Sequence, residues 1–117
     1  MNFAFDIDGV LDAFPAEMLA VCSSLQAGAN HVYIITGVEE DAVTKEDVAN
    51  KEAYLIGLGF GKGSYFKLIV LPKPHDTNKA KAIEDNDIAM LFDNNKDNVK
   101  AAKSLCPCWL LWNTKEG

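Results

Sequence analysis

Apolar residues along this chain gather in short runs separated by stretches of helical spacing. The first run, Asn2-Phe3-Ala4-Phe5, reads as a strand that breaks at Asp6-Ile7-Asp8-Gly9-Val10. From Ala13 to Ala27, Phe14, Met18, Val21, Cys22 and Leu25 recur at the helical period, with Pro15 in the first turn and Gly28 near the end. His31–Gly37 is a second apolar run rich in β-branched and aromatic residues. Thr44–Leu58 predicts a helix with Thr44 as N-cap and Asp47 placed for a variant capping box. Beyond it come a strand over Phe66–Pro72, a short helix over Asn78–Glu84, a strand over Ile88–Phe92, a helix over Asp97–Leu105 and a strand over Cys108–Trp112. Alternation of this kind predicts an α/β fold: a five-stranded parallel sheet with helices on both faces and right-handed crossovers. The strands are apolar almost throughout, as a sheet covered on both sides requires.

The residues that end the strands carry the candidate chemistry. In a parallel sheet all carboxyl ends share one edge, and ligands bind there. The endings here are Asp6 and Asp8, Thr36 and Gly37, Lys73 or the following Lys79, and Asp93 with Asn94, Asn95 and Asp97. Carboxylates at the end of a buried run need a cation, a hydrogen-bond network or a reaction to hold them. Asp6 and Asp8, two residues apart, are suited to bind a divalent cation or to divide nucleophilic and acid/base work. Asp93 adds hard oxygen for Mg²⁺, which keeps waters and takes substrate phosphate. Thr36 offers a hydroxyl to a phosphoryl oxygen, Gly37 permits close backbone approach, and Lys79 offers positive charge. Lys73 and Lys81 are rivals for that amine; Lys79 is preferred because Ala82 and Ile83 follow it three and four residues on, giving it the phase of a first-turn residue. Together the set describes phosphoryl transfer.

Composition narrows the setting. A chain of 117 residues suits one domain, 1–117, and its 49% hydrophobic and 24% charged residues are those of a globular protein. The net charge of −6 disfavours nucleic acid and anionic membrane surfaces as bulk partners. No apolar run approaches the roughly 20 residues that span a bilayer, and the N-terminus lacks a leader pattern, so a cytoplasmic setting is expected. Cys22, Cys106 and Cys108 are expected to be free structural thiols, since Cys106-Pro107-Cys108 has neither zinc nor thioredoxin spacing. Gly57-Leu58-Gly59-Phe60-Gly61-Lys62-Gly63 follows a helix and has alternate spacing, which reads as a helix stop rather than a nucleotide loop. His75 follows the third strand and is expected on the active edge, placed to contact substrate, although a loop histidine without a partner is more often incidental.

The chain resembles the haloacid dehalogenase superfamily in its phosphatase form. Phe5-Asp6-Ile7-Asp8-Gly9-Val10 is similar to the first motif, Ile35-Thr36-Gly37 to the second, Lys79 before Ala82-Ile83 to the third, and Phe92-Asp93 through Asp97 to the fourth. The resemblance implies a Rossmann-like three-layer sandwich with strand order 5-4-1-2-3. It further implies a Mg²⁺-dependent phosphomonoesterase in which Asp6 forms a phosphoaspartate and Asp8 is the general acid and base. Mg²⁺ would be held by the Asp6 carboxylate, the Asp8 backbone carbonyl and Asp93, with Asp97 as the second acid of the fourth motif. Thr36 and Lys79 would hold the phosphoryl oxygens.

Two departures qualify the resemblance. Asn94 and Asn95 follow Asp93 where the family often has a second adjacent acid. The few residues between Asp8 and the first helix, and the Val38–Tyr65 segment, leave no room for a cap domain or hairpin flap. An open site suits a large phosphorylated substrate, whereas a small phosphomonoester implies an oligomeric neighbour as cover. A non-catalytic binding or regulatory module with a degenerate fourth motif is the second reading. A phosphorelay receiver shares the sheet type but carries its acceptor aspartate on the third strand, where this chain has Lys73-Pro74.

Overall fold

The computed structural model describes residues 1–110. Five strands form one parallel sheet: β1 (Asn2–Phe5), β2 (His31–Gly37), β3 (Lys67–Leu71), β4 (Ile88–Asp93) and β5 (Cys108–Leu110), in the order β3-β2-β1-β4-β5. That is the expected order. Leu111 and Trp112 of the expected last strand lie outside the described residues. Four helices cross over between strands: α1 (Pro15–Ala27), α2 (Lys45–Gly57), α3 (His75–Asp85) and α4 (Lys96–Ala102). Only α2 and its loops separate β2 from β3, so nothing in the described chain forms a cap. Among the described residues no helix is long and apolar enough to cross a membrane.

Both faces of the sheet are buried because successive residues of each central strand point to opposite sides. Phe5, Val32 and Ile34 join Cys22, Leu55 and Phe60 beneath α1 and α2. Ala4, Tyr33, Ile35 and Leu91 join Ala82, Ile83 and Ala102 beneath α3 and α4. Lying between β2 and β4, β1 is the central strand, so its carboxyl end opens at the middle of the edge, where the strand order reverses.

Element ends follow local chemistry. The capping box of α2 is complete: Asp47 N–H donates to Thr44 Oγ1 at 3.1 Å and Thr44 N–H to Asp47 Oδ2 at 2.9 Å. In α1 the buried stripe is Cys22 with Met18, Leu19 and Leu25, while Phe14 precedes the helix and, like Val21, is exposed. Helix α3 starts at His75, three residues before the expected Asn78, because Pro74 turns the chain directly from the strand end into the helix. Lys79 is therefore in its second turn rather than its first, on the buried face with Ala82 and Ile83. Helix α4 is shorter than expected and is capped by Asn95, whose Oδ1 accepts from Asp97 and Asn98 N–H. The Gly57–Gly63 stretch ends α2 and buries Phe60, away from the strand ends that carry the acids. All three cysteines are free.

Candidate active site

Asp6 follows the last residue of β1, and its N–H donates to Phe92 O, which fixes it between β1 and β4. The chain then closes a turn of π type over Ile7–Leu11, through Leu11 N–H to Asp6 O at 3.4 Å and Asp12 N–H to Ile7 O at 3.2 Å. Ile7, Val10 and Leu11 are buried and anchor this turn in the core, which leaves Asp8 facing solvent. Gly9 adopts φ +74, a conformation that strains any residue with a Cβ, and Asn94 packs so closely over it that an added Cβ would collide with the amide. Asp12 braces the turn: its Oδ1 accepts from Gly9 N–H at 2.8 Å and its Oδ2 from the Tyr54 hydroxyl of α2 at 3.1 Å.

Lys79 connects two strand ends. Its Nζ donates to Asp93 Oδ2 at 2.8 Å and lies 3.5 Å from Asp6 Oδ1; Lys79 is 2% exposed and Asp93 0%. Asp93 is further held by Asn98 Nδ2 on Oδ2 and by Asn95 N–H on Oδ1. One ammonium thus faces two carboxylates in a water-poor setting. Burial pushes the Asp6 carboxyl up to about 7; Lys79 opposes this, while the charges of Asp93 and Asp8 add to it. The Ile7 N–H, which donates to Asp6 Oδ1 at 2.8 Å, favours the ionised form.

Thr36, at the end of β2, is buried to 1% exposure, and among the described residues its Oγ1 is the buried side-chain polar atom without a hydrogen-bond partner. Such an atom costs free energy unless something occupies the adjoining space and bonds to it. His75 lies on Gly37, where an added Cβ would sit 2.6 Å from the imidazole, and its Nε2 donates to Val38 O.

Asp6, Asp8, Thr36, Gly37 and Lys79 line one pocket of about 270 Å³, the first four from the carboxyl ends of β1 and β2 and Lys79 from α3. Asp93 lies under it, in contact with Lys79, and does not line it. Asp97 is exposed in the first turn of α4, outside the lining. Of the rival amines, Lys73 pairs with Glu39 and Lys81 with Asp85 on the surface, which leaves Lys79 as the lysine of the site. Among the described residues no group of three or more His, Cys, Asp or Glu side chains is gathered to hold a metal ion.

Sequence reasoning placed His75 on this edge and missed three contributors: Asn98, Asp12 and Asn94 as a wall over Gly9. Asn98 reaches the Asp93 carboxylate because the chain turns through Asn95 directly into the first turn of α4. No family model and no curated protein matches this sequence.

Proposed function

We propose that this protein is a Mg²⁺-dependent phosphomonoesterase of the haloacid dehalogenase type, working through a phosphoaspartate on Asp6. The observation that carries the proposal is the shared pocket of a buried carboxylate and an unpartnered hydroxyl at two neighbouring strand ends and a buried ammonium from α3. A carboxylate beside two anion-holding groups suits a nucleophile that attacks a phosphoryl group.

Both polar contacts of Asp6 fall on Oδ1, so Oδ2 is the attacking atom. The Oδ2–P bond forms as the ester P–O bond breaks, and Asp8 gives its proton to the departing alkoxide. Asp8 then takes a proton from water, the resulting hydroxide attacks phosphorus, and the P–Oδ2 bond breaks to free Asp6 and inorganic phosphate. Thr36 Oγ1 donates to a phosphoryl oxygen, and Lys79 balances the charge that develops around it. Of the hard-oxygen donors that would hold Mg²⁺, Asp6 and Asp8 line the pocket, whereas Asp93 lies beneath it with both carboxylate oxygens engaged by Lys79, Asn98 and the Asn95 N–H. When bound, the ion supplies positive charge to the phosphoryl oxygens.

The test is Mg²⁺-dependent phosphate release from an aryl phosphate, with acid-stable trapping of phosphorylated Asp6. Release that Asp6→Asn abolishes supports the proposal; neither release nor a labelled Asp6 sinks it. One observation favours the second reading, a non-catalytic phosphate-binding module: Asp93 is enclosed by Lys79, Asn98 and Asn95 beneath the pocket. Binding of inorganic phosphate without turnover would select that reading.

A further inference from the structure

We propose that the pocket accepts, beside the phosphoryl group, a small uncharged hydroxylated residue, so that the substrate class is a polyol or sugar monophosphate. This inference rests on the phosphomonoesterase reading and narrows it. Every residue lining the pocket is polar or glycine, and the whole volume is about 270 Å³. Once the phosphoryl group is seated against Thr36 and Lys79, the part of the substrate next to it meets the remaining polar walls. An apolar leaving group would gain nothing from such walls, because burial stabilises only where apolar surface meets apolar surface. The imidazole of His75 is turned onto Gly37 and Val38, and among the described residues no other ring lines the pocket to stack on a base.

Three asparagines line one wall, and two of them have protein partners: Asn95 Oδ1 caps α4 and Asn98 Nδ2 donates to Asp93. Asn94 makes no hydrogen bond to any described residue, and its amide lies over Gly9 in the pocket wall. An amide offers two donor hydrogens and an acceptor oxygen, and a hydroxyl engages both kinds of site, whereas a carboxylate engages the donors alone. Asp8 and Glu39 also line the pocket, and Glu39 is only loosely paired with Lys73 at 3.6 Å on the exposed rim. A second anionic group on the substrate would meet this negative rim and be repelled.

A matched pair isolates the prediction: glycerol 3-phosphate and 3-phosphoglycerate differ in a hydroxymethyl against a carboxylate. Binding of each to the whole Asp6→Asn chain with Mg²⁺ is measured by calorimetry, beside turnover of p-nitrophenyl phosphate by the parent. The expected result is a preference for glycerol 3-phosphate of about tenfold or more, narrowed several-fold in Asn94→Ala and widened in the isosteric Asn94→Asp, whose added charge repels the substrate carboxylate further. Equal or reversed affinities overturn the substrate class, whatever the aryl phosphate does. A preserved preference with no aryl phosphate turnover and no phosphorylated Asp6 would instead sink the phosphomonoesterase reading and leave the binding class standing.

Discussion

The two faces of the sheet are built from different materials. Beneath α1 and α2 lie Phe5, Ile34, Leu55 and Phe60, large side chains buried completely in hydrocarbon. Beneath α3 and α4 three alanines, Ala4, Ala82 and Ala102, stand among Tyr33, Ile35, Ile83 and Leu91, and the same side of the molecule buries Lys79, Asp93 and Asn98. Small residues let α3 and α4 approach closely enough for an ammonium, a carboxylate and an amide to meet beneath the strand ends. One face supplies stability and the other holds charge at a fixed position, where it weakens the fold whenever it is unbalanced.

Lys79→Ala should have the largest effect, because it strips the counter-charge from two buried carboxylates at once. We expect a loss of about 3–5 kcal/mol at neutral pH and a fall in phosphatase turnover of about 10²–10³ in the fraction that stays folded. Denaturation with urea and steady-state assay read the two separately; an unchanged midpoint would erase the contrast between the faces. On the hydrocarbon face, Phe60→Ala should cost about 3–5 kcal/mol through its cavity while turnover per folded molecule holds. A drop in that turnover would mean the faces are not independent.

Asp6→Asn sharpens the comparison through pH. The folded carboxyl is raised from 3.8 to about 7, so its burial favours the fold while it is protonated, and this contribution is lost as pH rises through about 7. Without added metal, Asp6→Asn should therefore be more stable than the parent near pH 8, by about 1–2 kcal/mol, with the gap closing toward pH 5. Denaturation in chelator at the two pH values checks the sign, and a variant less stable near pH 8 refutes it. The smallest effect expected is about 1 kcal/mol for Thr44→Ala, which removes half of the α2 capping box and should leave the phosphate pocket untouched in a turnover assay.

The legible parts of the site were those written in strand endings. Asp6, Asp8, Thr36 and Gly37 follow apolar runs, so the parallel sheet alone carries them to one edge. Lys79 was legible through the phase of Ala82 and Ile83, although the helix begins a turn earlier than expected. Strand order came from the resemblance, since apolar runs do not specify which strand lies beside which. The contacts of His75, Asp12 and Asn94 stayed hidden because each is made with a distant segment: Val38, Tyr54 and Gly9. The exposure of Phe14 and Val21 has the same origin, because helical spacing marks a stripe without saying how much of it the sheet covers.

The glycines under Asn94 and His75 bear on how this sequence can drift. Gly37 is constrained by space alone, so alanine there becomes acceptable once His75 is replaced by something smaller, and the two positions are free to change as a pair. Gly9 is constrained twice, by the Asn94 amide and by its own φ of +74, so trimming Asn94 does not release it. Descendants of this chain can thus remodel the His75 wall through compensated steps, whereas the turn that follows Asp6 is held to glycine whatever its neighbour becomes.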